Sequence, residues 1–330
     1  MLLTEAIEAL LIATKADGRS AETVKAYRRK LKPFVAFLGD VPVEGITSND
    51  VRRYIAHLMD RPTRYADHPM HEEIEGGLSP FTVAGHVRAI KRLFNWLEDE
   101  GVIEANPVRK IRTPRPKRKE PKAVDLQDFL ALLATTEAGG VADRSAERSR
   151  RSLRDRAILL FLADTGCRVG GLCGLRVHDL DLGGGLAVIT EKGDKARLVP
   201  FTSATAEALR AWLAVRPEDQ GPWVFVSVST NVKGGLTPGG VIQMLKRRAR
   251  KAGVTGVVNP HSFRHFFARE YLMNGGDLAT LADLLGHSSV EVTKASYAIF
   301  TIQELKEKHR RYSPVTRLLG GDENGRAGDS

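Results

Sequence analysis

The sequence predicts a mainly α-helical protein with one small antiparallel β-sheet, divided into a helical N-terminal domain and an α+β domain behind it. Three features predict this. Apolar residues recur at helical spacing through the first hundred positions, with no strand signal among them. A basic stretch with three prolines then breaks the pattern over residues 109–122. Beyond it helices resume around a single β-hairpin. The 330 residues suffice for about two ordinary domains, and an apolar content of 42% can fill a core in each.

In the first domain, residues 1–108, Ser20 is placed to cap a helix whose apolar stripe is Val24, Tyr27, Leu31, Phe34, Val35 and Leu38. Thr47-Ser48-Asn49-Asp50 has the form of a capping box with Asp in place of Glu; Val51, Tyr54, Ile55, Leu58 and Met59 follow on one face. Ser79-Pro80 opens a third strong helix, with proline in the first turn where its missing N–H is no loss. Gly101 ends it. The polar loop 61–77 holds His68, His71, Glu72 and Glu73, read as solvated surface in preference to a metal site.

Residues 109–122 (RKIRTPRPKRKEPK) carry eight basic side chains and one acidic one. They read as an extended linker lying along a phosphate backbone, with a nuclear-localisation signal as the alternative. The second domain is expected over 123–313. Asp125 caps a helix with Leu126, Phe129, Leu130 and Leu133. An Arg-rich polar loop follows over 137–152, then a helix from Arg154 to Asp164 that ends at Thr165-Gly166. Residues 186–189 and 197–201 read as two strands with a turn over 191–196. The chain is largely helical from Ser203, with 223–226 a short strand or core segment, and residues 314–330 are expected to be a disordered tail.

A formal charge of +10 and a pI near 9.7 favour a polyanionic partner, nucleic acid or an acidic membrane surface. The longest apolar run, Ala157 to Ala163, is far too short to span a bilayer. The N-terminus lacks the basic start of a secretory signal. Two cysteines, Cys167 and Cys173, make neither a disulfide framework nor a zinc site. A cytoplasmic, nucleoid-associated protein is expected, with no membrane partner.

Several chemistries are set aside by what is missing. No glycine-rich loop ends in Lys-Ser/Thr, and no dense carboxylate cluster suggests two-metal catalysis. His261 and His265 have zinc-ligand spacing, but Arg264 stands between them and no Glu follows His261. No cofactor or metal is expected. What remains is a cationic set, Arg168, Lys192, His261, Arg264 and His287, followed by Tyr297. Metal-free phosphoryl transfer needs these types of group. Two guanidiniums can neutralise the nonbridging oxygens with paired hydrogen bonds. A lysine can protonate a leaving oxygen. A phenol with an ordinary pKa near ~10 needs a base or a cationic field to attack, and histidines move protons near neutral pH. Taken singly, each has a simpler reading: a solvated turn lysine, helix-capping histidines, a core tyrosine. Their joint occurrence favours the catalytic one.

Four segments resemble the tyrosine recombinases, the family of phage integrases and Xer proteins. Thr165-Gly166-Cys167-Arg168 with Leu172 and Leu175 resembles the first arginine box, and residues 191–200 (EKGDKARLVP) the hairpin lysine motif. Residues 260–268 (PHSFRHFFA) resemble the His-x-x-Arg box, and residues 284–289 (LLGHSS) with Val292, Thr293 and Tyr297 the final histidine and nucleophile box. The likeness runs from about Ser20 to Tyr312 and implies a SAM-like core-binding domain followed by the catalytic domain. It implies that Arg168 and Arg264 hold the scissile phosphate and that Lys192 protonates the 5′ oxygen, with Lys195 as the fallback. It gives His261 a part in proton transfer at the nucleophile, His287 a hydrogen bond to the phosphate, and Tyr297 the 3′-phosphotyrosine bond. The implied partner is double-stranded DNA, clasped between both domains, with a homo-tetramer on two sites or a hetero-tetramer with a related recombinase. A type IB topoisomerase-like relaxing enzyme and an inactive DNA-binding relative are the alternatives. Two departures stand out. The acidic residue usual three positions after the first arginine is replaced by Gly171, and Tyr297 follows His287 by ten residues where many relatives have nine. Tyr312 is a distant second candidate for the nucleophile, and residues 301–311 read as a helix that docks on a neighbouring protomer or on its own.

Overall fold

The computed structural model describes residues 1–64, 74–114, 122–137, 146–191, 195–228, 233–287 and 289–297, with Lys306 and His309 further on. The chain falls into two compact units, Met1–Lys119 and Glu120–Ser330. The His68–Glu73 cluster, much of the basic linker, Lys192, Tyr312 and the C-terminal tail lie outside the described residues.

Among the described residues the first unit is built on the α-helices α1 (Leu3–Ala16), α2 (Ala21–Leu38), α3 (Ser48–Met59) and α4 (Pro80–Asp99). The starts of α2, α3 and α4 are where the sequence puts them, whereas α1 carries no start assigned from the sequence. Ser20 and Ser79 each accept a hydrogen bond from the backbone N–H three residues on, and Thr47 and Asp50 form the reciprocal capping box. Phe34, Tyr54 and Phe94 meet edge to face in the core. One expectation fails here. Thr63–Arg64 (β1) pairs antiparallel with Ile74–Glu75 (β2), so a strand pair does interrupt the helices. Two residues per strand are too few to show alternation in a sequence.

The second unit begins with α5 (Leu126–Ala134), capped by Asp125, and α6 (Ala146–Thr165). Helix α6 starts eight residues before the expected Arg154, inside what the sequence suggests is loop. Its first two turns are charged, and a Glu147–Arg151 ion pair at i,i+4 supports them where no apolar stripe does. After α7 (Val169–Gly174), a three-stranded antiparallel sheet forms in the order β3 (Leu180–Asp181), β4 (Leu186–Glu191) and β5 (Lys195–Pro200). Strand β3 has no sequence signal, and β4 and β5 run closer to the hairpin tip than expected, pairing out to Glu191 and Lys195. Residues 223–226 form no extended strand. They are held by single bridges, Arg176 to Trp223 and Val226 to Gly235, with Val224, Phe225 and Val226 fully buried.

The helices α8 (Ser203–Leu213), α9 (Pro238–Ala252), α10 (Pro260–Met273), α11 (Leu278–Leu285) and α12 (Val290–Tyr297) follow among the described residues. Helix α6 is the spine, packed against α8 and α10. Phe161, Leu162, Leu209, Trp212, Phe225 and Phe263 fill the core around it.

One polar knot crosses that core. Asp155 of α6 is fully buried and accepts hydrogen bonds from Arg154 Nη2 at 2.8 Å and Arg248 Nε at 2.9 Å. Arg154 also donates to the Val226 carbonyl and Arg248 to the Thr135 carbonyl, so α5, α6, α9 and the 223–226 segment are joined through one carboxylate. Removing it strands two buried cations. Asp155→Ala is expected to lower the unfolding free energy of this unit by about 3–5 kcal/mol in urea titration, and a loss near zero would contradict this role.

Candidate active site

Helix α10 sets the centre of the site. The Asn259 side chain accepts from the His261 and Ser262 backbone N–H groups, and Pro260 occupies the first turn. This fixes the helix phase, so His261, Arg264 and His265 fall on one face at i, i+3 and i+4. Arg264 is buried at 2% exposure, and each guanidinium nitrogen is engaged. Nε donates to Tyr297 Oη at 3.1 Å and Nη1 to the Gly166 carbonyl at 2.9 Å. Nη2 lies 2.7 Å from the Leu285 carbonyl and 2.8 Å from His287 Nε2.

Gly166 has to be glycine for this. Its φ is +57°, and an added Cβ would sit 2.5 Å from Phe267 Cδ1. The left-handed turn there ends α6 and places Arg168 at the N-cap of α7. Arg168 is half exposed, and its Nη1 donates to Glu191 Oε2 at the end of β4. Arg197 of β5 donates to Glu191 Oε1 at 3.3 Å and to the Leu284 carbonyl.

Arginine has donors only, so His287 Nε2 must accept from Arg264. The ring proton is therefore assigned to Nδ1, which donates to Thr293 Oγ1 at 2.7 Å. Tyr297 closes the arrangement at 9% exposure. Its ring lies 4.8 Å from His265 and 5.7 Å from His287, nearly parallel to the latter, while His261 stands 4.6 Å from His265. Residues from four separate segments thus meet at one guanidinium and one phenol.

The family model for the phage integrase family matches residues 127–304, and that for the phage integrase N-terminal SAM-like domain matches residues 6–102. The chain belongs to the phage integrase family. Among its relatives, tyrosine recombinase XerD of Listeria monocytogenes is 31% identical over 90% of this chain and 94% of its own. Tyrosine recombinase XerC of Chlorobaculum tepidum is 32% identical over 89% and 90%. The fold is that of the Tn1549 transposon integrase bound to transposon right-end DNA, at TM-score 0.70 and 17% identity over 94% of this chain and 99% of that one. It is also that of a lambda integrase tetramer bound to a Holliday junction, at TM-score 0.66 and 18% identity over 90% and 77%.

In this tyrosine recombinase, Arg264, His287 and Tyr297 are joined by hydrogen bonds, with His261 and Arg168 alongside; Lys192 lies outside the described residues. The histidines sit in a cationic, partly dry setting that disfavours their protonation. Burial, then the charges of His261 and Arg264, pulls His265 down to about 4. Burial, then Arg264, Arg168 and Arg197, pulls His287 down to about 4. Burial, then Arg264 and Arg168, lowers His261 as well. Three contributors have no role in the sequence reading. His265 stands out there only as half of a failed zinc pair. Glu191 and Arg197 lie inside the hairpin motif, and only the fold shows that they meet Arg168.

An unfolded histidine takes its proton near ~6.5, whereas His265 and His287 do so near 4 in the folded chain. Their contribution to stability is therefore complete above pH 6.5 and is lost as pH falls through 4. Ring resonances followed by NMR should place both midpoints near 4 in the DNA-free protein; midpoints at the ordinary value would contradict the suppression of protonation by burial and neighbouring cations.

Proposed function

We propose that this tyrosine recombinase performs site-specific DNA recombination by attack of the Tyr297 phenolic oxygen on a backbone phosphorus. The bond from Tyr297 Oη to phosphorus forms as the bond to the 5′ oxygen breaks, leaving a 3′-phosphotyrosine and a 5′-hydroxyl. Attack by a 5′-hydroxyl from a second duplex reverses the step and joins the exchanged strands. The ester conserves the bond energy, so rejoining needs no nucleotide hydrolysis.

The observation that carries this reading is the hydrogen bond from Arg264 Nε to Tyr297 Oη, made by a guanidinium already held by two backbone carbonyls. A fixed cation beside the attacking oxygen stabilises its developing charge without reorganising at the moment of reaction. Arg168, half exposed on the same face of the chemistry, and Arg264 hold the nonbridging oxygens. His261, kept unprotonated at neutral pH by burial and the neighbouring arginines, has a lone pair with which to receive the phenol proton. An incoming phosphate competes for Arg264 Nη2 and frees His287 Nε2, which takes up a proton, favoured by the phosphate charge, before it donates to a phosphate oxygen. Lys192, which follows Glu191 in the sequence, protonates the departing 5′ oxygen.

The division into a core-binding domain over 1–108, a basic linker over 109–122 and a catalytic domain over 123–313 follows from the sequence and fits the two family matches. Four copies acting on two DNA sites is the assembly proposed, by extension from the lambda integrase tetramer on a Holliday junction. DNA relaxation and an inactive relative are not favoured, since the relatives are named as recombinases.

The target duplex can be obtained by capture. A pool of random-sequence duplexes nicked near the centre is offered to the protein, and denaturant-resistant adducts are sequenced. The wild type is expected to accumulate such adducts. Tyr297→Phe should bind the captured duplex yet form none, and Tyr312→Phe should react normally. Adducts surviving in Tyr297→Phe would remove Tyr297 as the nucleophile.

A further inference from the structure

Glu191 is the carboxylate that pairs with the site's guanidiniums among the described residues. It is the last residue of β4, and its side chain is only 8% exposed although Arg168 beside it is 46% exposed. Both carboxylate oxygens are used. Oε2 accepts from Arg168 Nη1, and Oε1 accepts from Arg197 Nη2 at 3.3 Å and from the Arg168 backbone N–H at 3.4 Å. Arg197 in turn reaches the Leu284 carbonyl, one residue before the Leu285 carbonyl that holds Arg264. A buried anion thus ties the first arginine to the segment that carries His287.

The backbone around it is shaped to admit this group. A Cβ added at Gly171 would lie 2.4 Å from Ile189 Cγ2, a buried β-branched carbon with nowhere to go, and 3.7 Å from Glu191 Cγ. At the adjacent Gly170 the same addition meets nothing within 4 Å. The space beside Gly171 is therefore already filled from β4, and Gly171 is the position where the family resemblance implies an acid. The side chain missing from α7 and the carboxylate arriving from β4 occupy the same corner of the site.

We propose that Glu191 is a positioning residue for strand cleavage: its carboxylate, delivered from β4 in place of an acid at position 171, holds the Arg168 guanidinium in plane and in reach of the scissile phosphate. One edge of the Arg168 fork is committed to Glu191, which leaves the remaining N–H groups to face the DNA. Without that anchor Arg168 is a half-exposed side chain with several rotamers open to it, and ordering it must be done during the reaction. The carboxylate also lowers the repulsion between Arg168 and Arg197, whose charges face the same small volume.

This inference rests on cleavage by Tyr297, and its test separates the two. Single-turnover adduct formation on the captured nicked duplex is measured against protein concentration for wild type, Glu191→Gln and Glu191→Asp, together with melting temperature. Gln keeps the shape and removes the charge; Asp keeps the charge on a shorter stem. Glu191→Gln is expected to lower the saturating rate by about ten- to a hundredfold, since misplacing a catalytic group by about 1 Å can cost up to a hundredfold. With rates compared at a temperature where the proteins are folded, the half-saturating concentration should stay at the wild-type value, and Glu191→Asp should recover part of the rate. A Glu191→Gln rate equal to or above wild type overturns the inference while leaving Tyr297 in place. So does a slower Glu191→Gln whose loss is matched in DNA affinity, or is not relieved in Glu191→Asp. A wild-type protein that forms no adduct overturns the underlying cleavage reading, and this one with it.

Discussion

The second unit depends on one planar cation. Arg264 is almost wholly removed from water, and such a charge is tolerated only if its donors are met. Here they are met by the Gly166 and Leu285 carbonyls, His287 and Tyr297, which come from the end of α6, the end of α11, the turn after it and the end of α12. The burial that makes the arginine costly is also what makes it rigid. Each partner is held by the same guanidinium, so the carbonyls that satisfy it orient the phenol and the imidazole as well.

Electrostatics follow from that centre. Arg168, Arg197 and Arg264 concentrate positive charge, and Glu191 is the anion that divides it between two of them. Burial, reinforced by this field, drives His261, His265 and His287 toward their neutral forms. A neutral His287 can accept from Arg264 while its other nitrogen donates to Thr293, which would fail for an imidazolium. Under the proposed cleavage, a DNA phosphate would bring compensating negative charge, and the same cations would favour a more highly charged transition state.

Much of the fold can be read from local chemistry. Ser20, Thr47, Ser79 and Asp125 cap helices because short polar side chains meet backbone N–H groups within three residues, a rule that needs no tertiary context. The start of α6 escapes because Glu147 and Arg151 stabilise it through charge, without the apolar period that marks a helix core. The strands β1, β2 and β3 escape because two residues carry no period. In the site, Arg168, Arg264, His287 and Tyr297 are legible through their segments, but the identity of their partners is not. Glu191 stands beside Lys192 in the sequence, and only the approach of β4 to α7 reveals which arginine it serves.

The most direct test concerns Arg264, since the placement of Tyr297 is assigned to its pinned fork. Arg264→Lys retains one positive charge but cannot reach Gly166, Leu285, His287 and Tyr297 together. Single-turnover cleavage of a nicked target duplex, at a temperature where circular dichroism shows the variant folded, should be slower by about a hundred- to a thousandfold, as for loss of a preorganised donor at a reacting oxygen. Cleavage at the wild-type rate by folded Arg264→Lys would contradict the claim that a fixed guanidinium, and not simply a positive charge, prepares Tyr297 for attack.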